Sequence, residues 1–159
     1  MTKEEFTISI AKEQKSLRRF LLALCCGNKT LADDIAQETF IKAYLSLEQY
    51  HEKNKFSAWL KAIAHNTFLD SMKSHKIYLP LDYATTEMSN ENSDSSFKYQ
   101  ELYYALNKLS LKERTTILLY YLEGYSIKEI CDIICCTEDA VKQQLLRGRK
   151  HLKAIISHE

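Results

Sequence analysis

The chain is poor in residues that break helices. Its 159 residues include three glycines and one proline, so tight turns are few and long helices meet little interruption. It also lacks an excess of either charge. Lys and Arg number 22 and Asp and Glu 21, a formal net charge of +1. Any affinity for a polyanion must therefore be sought segment by segment. No run reaches the roughly 18–20 uninterrupted apolar residues of a membrane span. The N-terminus, MTKEEFTISIAKEQK, has no apolar stretch followed by a cleavage site, so a cytoplasmic location is expected. The five cysteines are odd in number and include the adjacent pairs Cys25-Cys26 and Cys135-Cys136. Cys131 and Cys135 stand four apart, but no histidine flanks them. Buried free thiols and no metal site are expected. There is no His-x-x-x-His pair and no Gly-rich phosphate loop, so neither a cofactor nor an enzymatic activity is expected.

What is present is apolar content of 45%, enough for a packed core, arranged with helical periodicity. Phe6, Ile10, Leu17, Leu21 and Leu24 share one face of a helix over residues 4–26, which Gly27-Asn28 ends. Thr30 is the expected cap of a second helix, with Asp33 and Asp34 in its first turn. Its buried stripe is Leu31, Ile35, Phe40, Ala43, Tyr44 and Leu47. After a polar loop over 50–55, a third helix runs from Ser57 to His75 with Trp59, Leu60, Ile63, Ala64, Phe68 and Met72 on its apolar face. From Leu79 to Ser96 the periodicity stops. Residues 82–101 carry five acids and one base. This reads as a flexible acidic linker. The expected fold is all-α, with two small helical domains at 1–78 and 97–159 joined by the linker at 79–96.

The second domain carries the clearest motif. Ser110-Leu111-Lys112-Glu113 and Ser126-Ile127-Lys128-Glu129 are capping boxes, in which Ser and Glu each satisfy an orphan amide. The second box opens a short helix through Ile127, Ile130, Cys131 and Ile134. Cys135-Cys136 makes a turn, and Thr137 caps a longer last helix. Short helix, tight turn and capped helix form a helix-turn-helix pattern. At about 100° per residue, Val141, Leu145, Gly148, Leu152, Ile155 and Ile156 fall on one side. Lys142, Gln143, Leu146, Arg147, Arg149, Lys150 and Lys153 fall on the other. Residues 137–156 carry five cations and two acids, in a chain that is otherwise balanced. That concentration suits a helix that neutralises phosphates.

Two segments of the first domain add a resemblance. Asp33 to Tyr44, DDIAQETFIKAY, resembles the core-binding helix of the second region of bacterial sigma factors. Phe56 to Asn66, FSAWLKAIAHN, with Asp70 and Lys73 beyond it, resembles the segment that opens the minus-ten promoter element. Tyr125 to Lys153 resembles the helix-turn-helix of the fourth sigma region. The motifs stand in the family's order across a linker of suitable length, and in lacking the extra regions of housekeeping sigma factors the chain resembles the extracytoplasmic-function (ECF) group of the sigma-70 family. The resemblance implies a subunit that binds core RNA polymerase through its clamp helices and flap, binds promoter DNA, and is held by an anti-sigma factor. It implies polymerase contacts at Asp34, Gln37 and Glu38. It implies a minus-ten surface of Lys53, Asn54, Lys55, Phe56, Asn66 and Lys73, with a base-capturing rim and a Phe56 floor. It implies a minus-thirty-five surface of Lys142, Gln143, Leu146, Arg147, Arg149 and Lys150. Lys73 stands where relatives often carry Arg, and lacks the bidentate fork.

Plainer readings stand beside these. A basic face can be merely solvated, acids near a helix start can simply oppose its dipole, and Trp59 suits the core as well as DNA. A helix-turn-helix regulator that never joins polymerase would use only the second domain. A helical metal-dependent hydrolase built on Asp33, Asp34, Glu38 and His65 would lack a ligand pair.

Overall fold

The computed structural model of the protein describes residues 1–51, 55–74 and 93–157. Among these there are seven α-helices, one π-helical turn, one 3-10 turn and no strand. Helix α1 spans Lys3–Leu24. Thr2 accepts a bond from the Glu5 amide at 3.1 Å and Glu5 accepts one from the Thr2 amide at 3.0 Å, closing a capping box. The helix stops before the expected residue 26, because Cys26 and Gly27 take left-handed φ values of 53° and 87°. Gly27 also has no room for a side chain. A Cβ there would lie 2.7 Å from the ring of Tyr103.

Helix α2 spans Lys29–Leu45. Its cap is Asn28, not Thr30: the Asn28 side chain accepts from the Leu31 amide at 3.1 Å. Asn caps as well as any residue, and it follows the Gly27 stop directly, so no loop is needed. Asp33 and Asp34 therefore fall in the second turn. Tyr44, expected inside, is 44% exposed. Helix α3 spans Phe56–Ser74, and α2 packs on both α1 and α3. Leu17, Phe20, Leu21, Leu24, Ile35, Leu60 and Phe68 are fully buried between them.

Helix α4 spans Ser93–Lys108 and so takes up the last positions of the expected linker, most of which lies outside the described residues. Helix α5 spans Leu111–Ile117 and continues as a π turn over Leu118–Leu122, which the apolar pattern did not announce. Helices α6, Ile127–Ile134, and α7, Glu138–Ser157, complete the helix-turn-helix. Both expected capping boxes form, and Thr137 accepts from the Ala140 amide at 3.1 Å. A Cβ on Gly148 would meet Ile117 at 2.8 Å, so α7 and α5 approach closely only because residue 148 is glycine. Ile156 does not join this inner face; it is 61% exposed. Cys135 and Cys136 are exposed too, against the expectation of buried thiols, because the turn between α6 and α7 projects into solvent.

The two modules share one continuous core. Helix α3 packs on α6, and α1 packs on the π turn. Arg114 is buried at the junction. Its guanidinium donates to the Leu106 carbonyl of its own module and to the Leu24 carbonyl of the other, each at 2.9 Å.

Candidate nucleic-acid interface

The outer face of α7 is built as the projection requires. Val141, Leu145 and Gly148 are buried, which turns Lys142, Gln143, Leu146, Arg147, Lys150 and Lys153 outward. None of Lys142, Arg147, Lys150 and Lys153 makes an ion pair among the described residues. Arg149 differs. It is exposed, but its guanidinium donates to the Tyr121 hydroxyl at 3.0 Å, so one end of the π turn holds it. His151 approaches Glu113 at 2.9 Å. Burial raises the pKa of Glu113, but bonds from His151 and Ser110 outweigh it and hold the carboxyl below its usual range.

The residues expected at a minus-ten surface divide. Lys53 and Asn54 lie outside the described residues. Asn66, Asp70 and Lys73 are exposed and stand at i, i+4 and i+7 on one face of α3. Asp70 lies 3.9 Å from Lys42, which also pairs with Glu38 at 3.4 Å. Phe56 sits in an aromatic cluster, with ring centroids 6.0 Å from Phe6, 5.6 Å from Tyr50 and 5.6 Å from Trp59. Lys55 is turned toward the second module, where its ammonium meets Glu129 at 3.1 Å. The Ser126 amide and this ammonium hold the Glu129 carboxyl below its ordinary pKa. Next to Lys55, Ser57 shares a hydrogen bond with Tyr125, whose phenol is pushed up to about 12, chiefly by burial.

Asp34, Gln37 and Glu38 are exposed on α2. The same face continues with Ile41, 60% exposed, and Leu45, 76% exposed. These apolar residues were not singled out from the sequence, yet the i, i+4 step from Gln37 to Ile41 to Leu45 could have found them. A second unforeseen feature is Lys61, only 1% exposed. Its ammonium lies 3.7 Å from Glu123 and 2.9 Å from the Ser16 hydroxyl. Glu123 also accepts from Ser16 at 2.8 Å and from Arg19 at 3.3 Å. Burial lowers the pKa of Lys61, and Glu123 and Glu13 oppose that fall. This polar knot joins α1 and α3 to the end of the π turn.

Among the described residues no helix is long and apolar enough to cross a membrane, and no cluster suited to a metal ion is found. Two family models match: sigma-70 region 2 over residues 10–77 and sigma-70 region 4 over residues 99–152. The chain is 32% identical over 142 residues to the ECF RNA polymerase sigma factor SigM of Bacillus subtilis, covering 86% of each chain. It is 30% identical over 144 residues to the ECF RNA polymerase sigma factor EcfG of Rhodopseudomonas palustris, covering 89% of this chain and 79% of that one. In fold it is similar to the sigma factor RpoE of Bartonella quintana, solved in complex with the anti-sigma factor NepR. There the TM-score is 0.80 at 23% identity, over 97% of this chain and 98% of that one. It is also similar to CnrH, solved with the cytosolic domain of CnrY, at a TM-score of 0.77 and 22% identity, over 99% and 91% of the two chains. With both sigma regions matched in order, and relatives aligned along most of their length, the chain belongs to the ECF sigma factors of the sigma-70 family.

Proposed function

We propose that this chain binds core RNA polymerase and directs initiation at promoters by recognising their minus-ten and minus-thirty-five elements. The observation that carries the reading is the outer face of α7. Lys142, Arg147 and Lys150 stand exposed there, with no ion pair among the described residues. Unneutralised cations at the front of a helix-turn-helix are what phosphate and base-edge contact require. Gln143 can pair with adenine through its amide, and Leu146 is 48% exposed beside it.

In this reading the α2 face from Asp34 to Leu45 docks on the clamp helices, and Asn66 and Lys73 follow the minus-ten strand. An apolar groove of about 670 Å³, lined by Leu22, Tyr103, Leu106, Leu118, Tyr121 and Leu152, suits the polymerase flap or an anti-sigma helix. Run-off transcription with core enzyme on a library of promoter fragments tests the reading. Specific starts that need this chain are expected. Promoter binding without any gain in initiation would favour a regulator that works apart from polymerase.

A further inference from the structure

Three of the five cysteines lie within six residues of the helix-turn-helix, at 131, 135 and 136. Helix α6 ends with Cys135 in the left-handed region, φ 55° and ψ 50°. The amide of Cys136 then returns to the carbonyl of Cys131 at 3.2 Å. This six-residue closure is a Schellman cap, in which the first and last side chains are brought together and normally make an apolar contact. In this chain both of those side chains are thiols. Cys136 is exposed, with its sulfur 3.6 Å from the Ile134 carbonyl, and Cys131 is half-buried. Burial first, then Glu138, Asp132 and the Cys136 thiol, raise the pKa of Cys131. A bridge from Cys135 to Cys136 would instead close a strained eight-membered ring around a planar peptide.

We propose that Cys131 and Cys136 form a reversible thiol–disulfide pair that takes hydroperoxides as its oxidant. The exposed Cys136 thiolate attacks hydrogen peroxide. An S–O bond forms, the O–O bond breaks, and hydroxide leaves and takes up a proton. The Cys131 sulfur then displaces water from the sulfenic acid, forming S–S and breaking S–O. Two thiols give up two electrons and two protons, and one peroxide becomes two waters. A dithiol reductant reverses the bridge. Cys25 and Cys26 serve as an internal contrast. Both are buried, and burial pushes both thiols up, so neither supplies a ready thiolate. The consequence for promoter binding rests on the function proposed above. Cys136 adjoins Thr137, which caps α7. Drawing its sulfur from the Ile134 carbonyl toward Cys131 shifts that cap and the first turn of the DNA-facing helix.

The test treats the full reduced chain with hydrogen peroxide, then unfolds it in an alkylating reagent. Five alkyl groups are expected before treatment and three after, since two of the five thiols are consumed. The tryptic peptide from Glu129 to Lys142 should carry one alkyl group and be lighter by two hydrogen atoms, and a dithiol should restore five. Cys135→Ser should keep the bridge and Cys136→Ser should lose it. Five alkyl groups after peroxide, or a bridge that survives Cys136→Ser, would overturn the pair. None of these readings needs DNA, so failure of the proposed function would leave them standing. In a second arm, the oxidised chain should bind a promoter fragment more weakly than the reduced chain, with recovery on reduction. Equal binding with the bridge in place would overturn the regulatory role.

Discussion

At the scale of single residues, the last helix offers a three-way comparison. Arg147 projects from the front of α7, Lys150 lies one turn further on, and Arg149 is tied to Tyr121. Losing a base contact costs roughly 1–3 kcal/mol and relaxes preference at one base. Losing a phosphate contact weakens all sequences alike and lowers the salt slope by about 0.9. Arg147→Ala should therefore flatten preference at one position of a randomised minus-thirty-five element. Lys150→Ala should leave preference intact and reduce the salt slope. Arg149→Ala should do less than either in binding, because its guanidinium already has an intramolecular partner. Binding across a salt series measures all three, and a uniform loss in each would point to reading through DNA shape.

His65 makes a separate prediction. It is buried, its Nδ1 has no hydrogen-bond partner among the described residues, and burial lowers its pKa below the ordinary 6.5. Between the folded and unfolded values the unfolded chain binds more protons, so stability rises with pH. The contribution is complete above about 6.5 and declines as pH falls through the folded value. The urea midpoint should therefore drop as pH is lowered from about 7.5 to about 5, and His65→Phe should remove part of that drop.

At the scale of elements, α2 presents acid at one end of its outer face and apolar surface at the other. Asp34→Lys with Glu38→Lys should weaken binding to core polymerase with helicity unchanged, as read by affinity and circular dichroism. Unchanged affinity would remove α2 from the docking surface. The helix-turn-helix was legible in the sequence because its determinants are local. Ser110–Glu113 and Ser126–Glu129 are three residues apart, and a cap needs nothing more distant. Ser126→Ala should cost about 1 kcal/mol of stability in a thermal or urea melt. The start of α2 was misread for a local reason, since Asn28 and Thr30 are both competent caps and the Gly27 turn selects the nearer one. The exposed Cys135 and Cys136 were misread because thiols are usually interior, whereas a left-handed residue after a short helix is turned outward.

At the scale of the whole molecule, the arrangement of the two modules was not legible. Lys61 follows Leu60 in an apolar stretch and reads as an ordinary surface charge. Its partner Glu123 is far along the chain, and no sequence period connects them. In the structure both side chains are buried, at 1% and 4% exposure, and with Lys55–Glu129 and Ser57–Tyr125 they hold the second module over the start of α3. A buried ion pair contributes little net stability, because desolvation of both charges offsets their attraction. Removing one partner is another matter, since it strands the other charge and costs roughly 3–5 kcal/mol. Glu123→Gln should therefore favour separation of the modules, which frees Lys61 to water at the expense of the junction. Scattering in solution should show a larger radius of gyration for this variant, and Lys61, only 1% exposed in the closed chain, should become accessible to amine-reactive reagents. Lys61→Met with Glu123→Leu removes both charges and should restore the compact radius. If Glu123→Gln stays as compact as the parent chain, the knot does not govern closure, and the apolar contacts between α3 and α6 hold the modules together unaided.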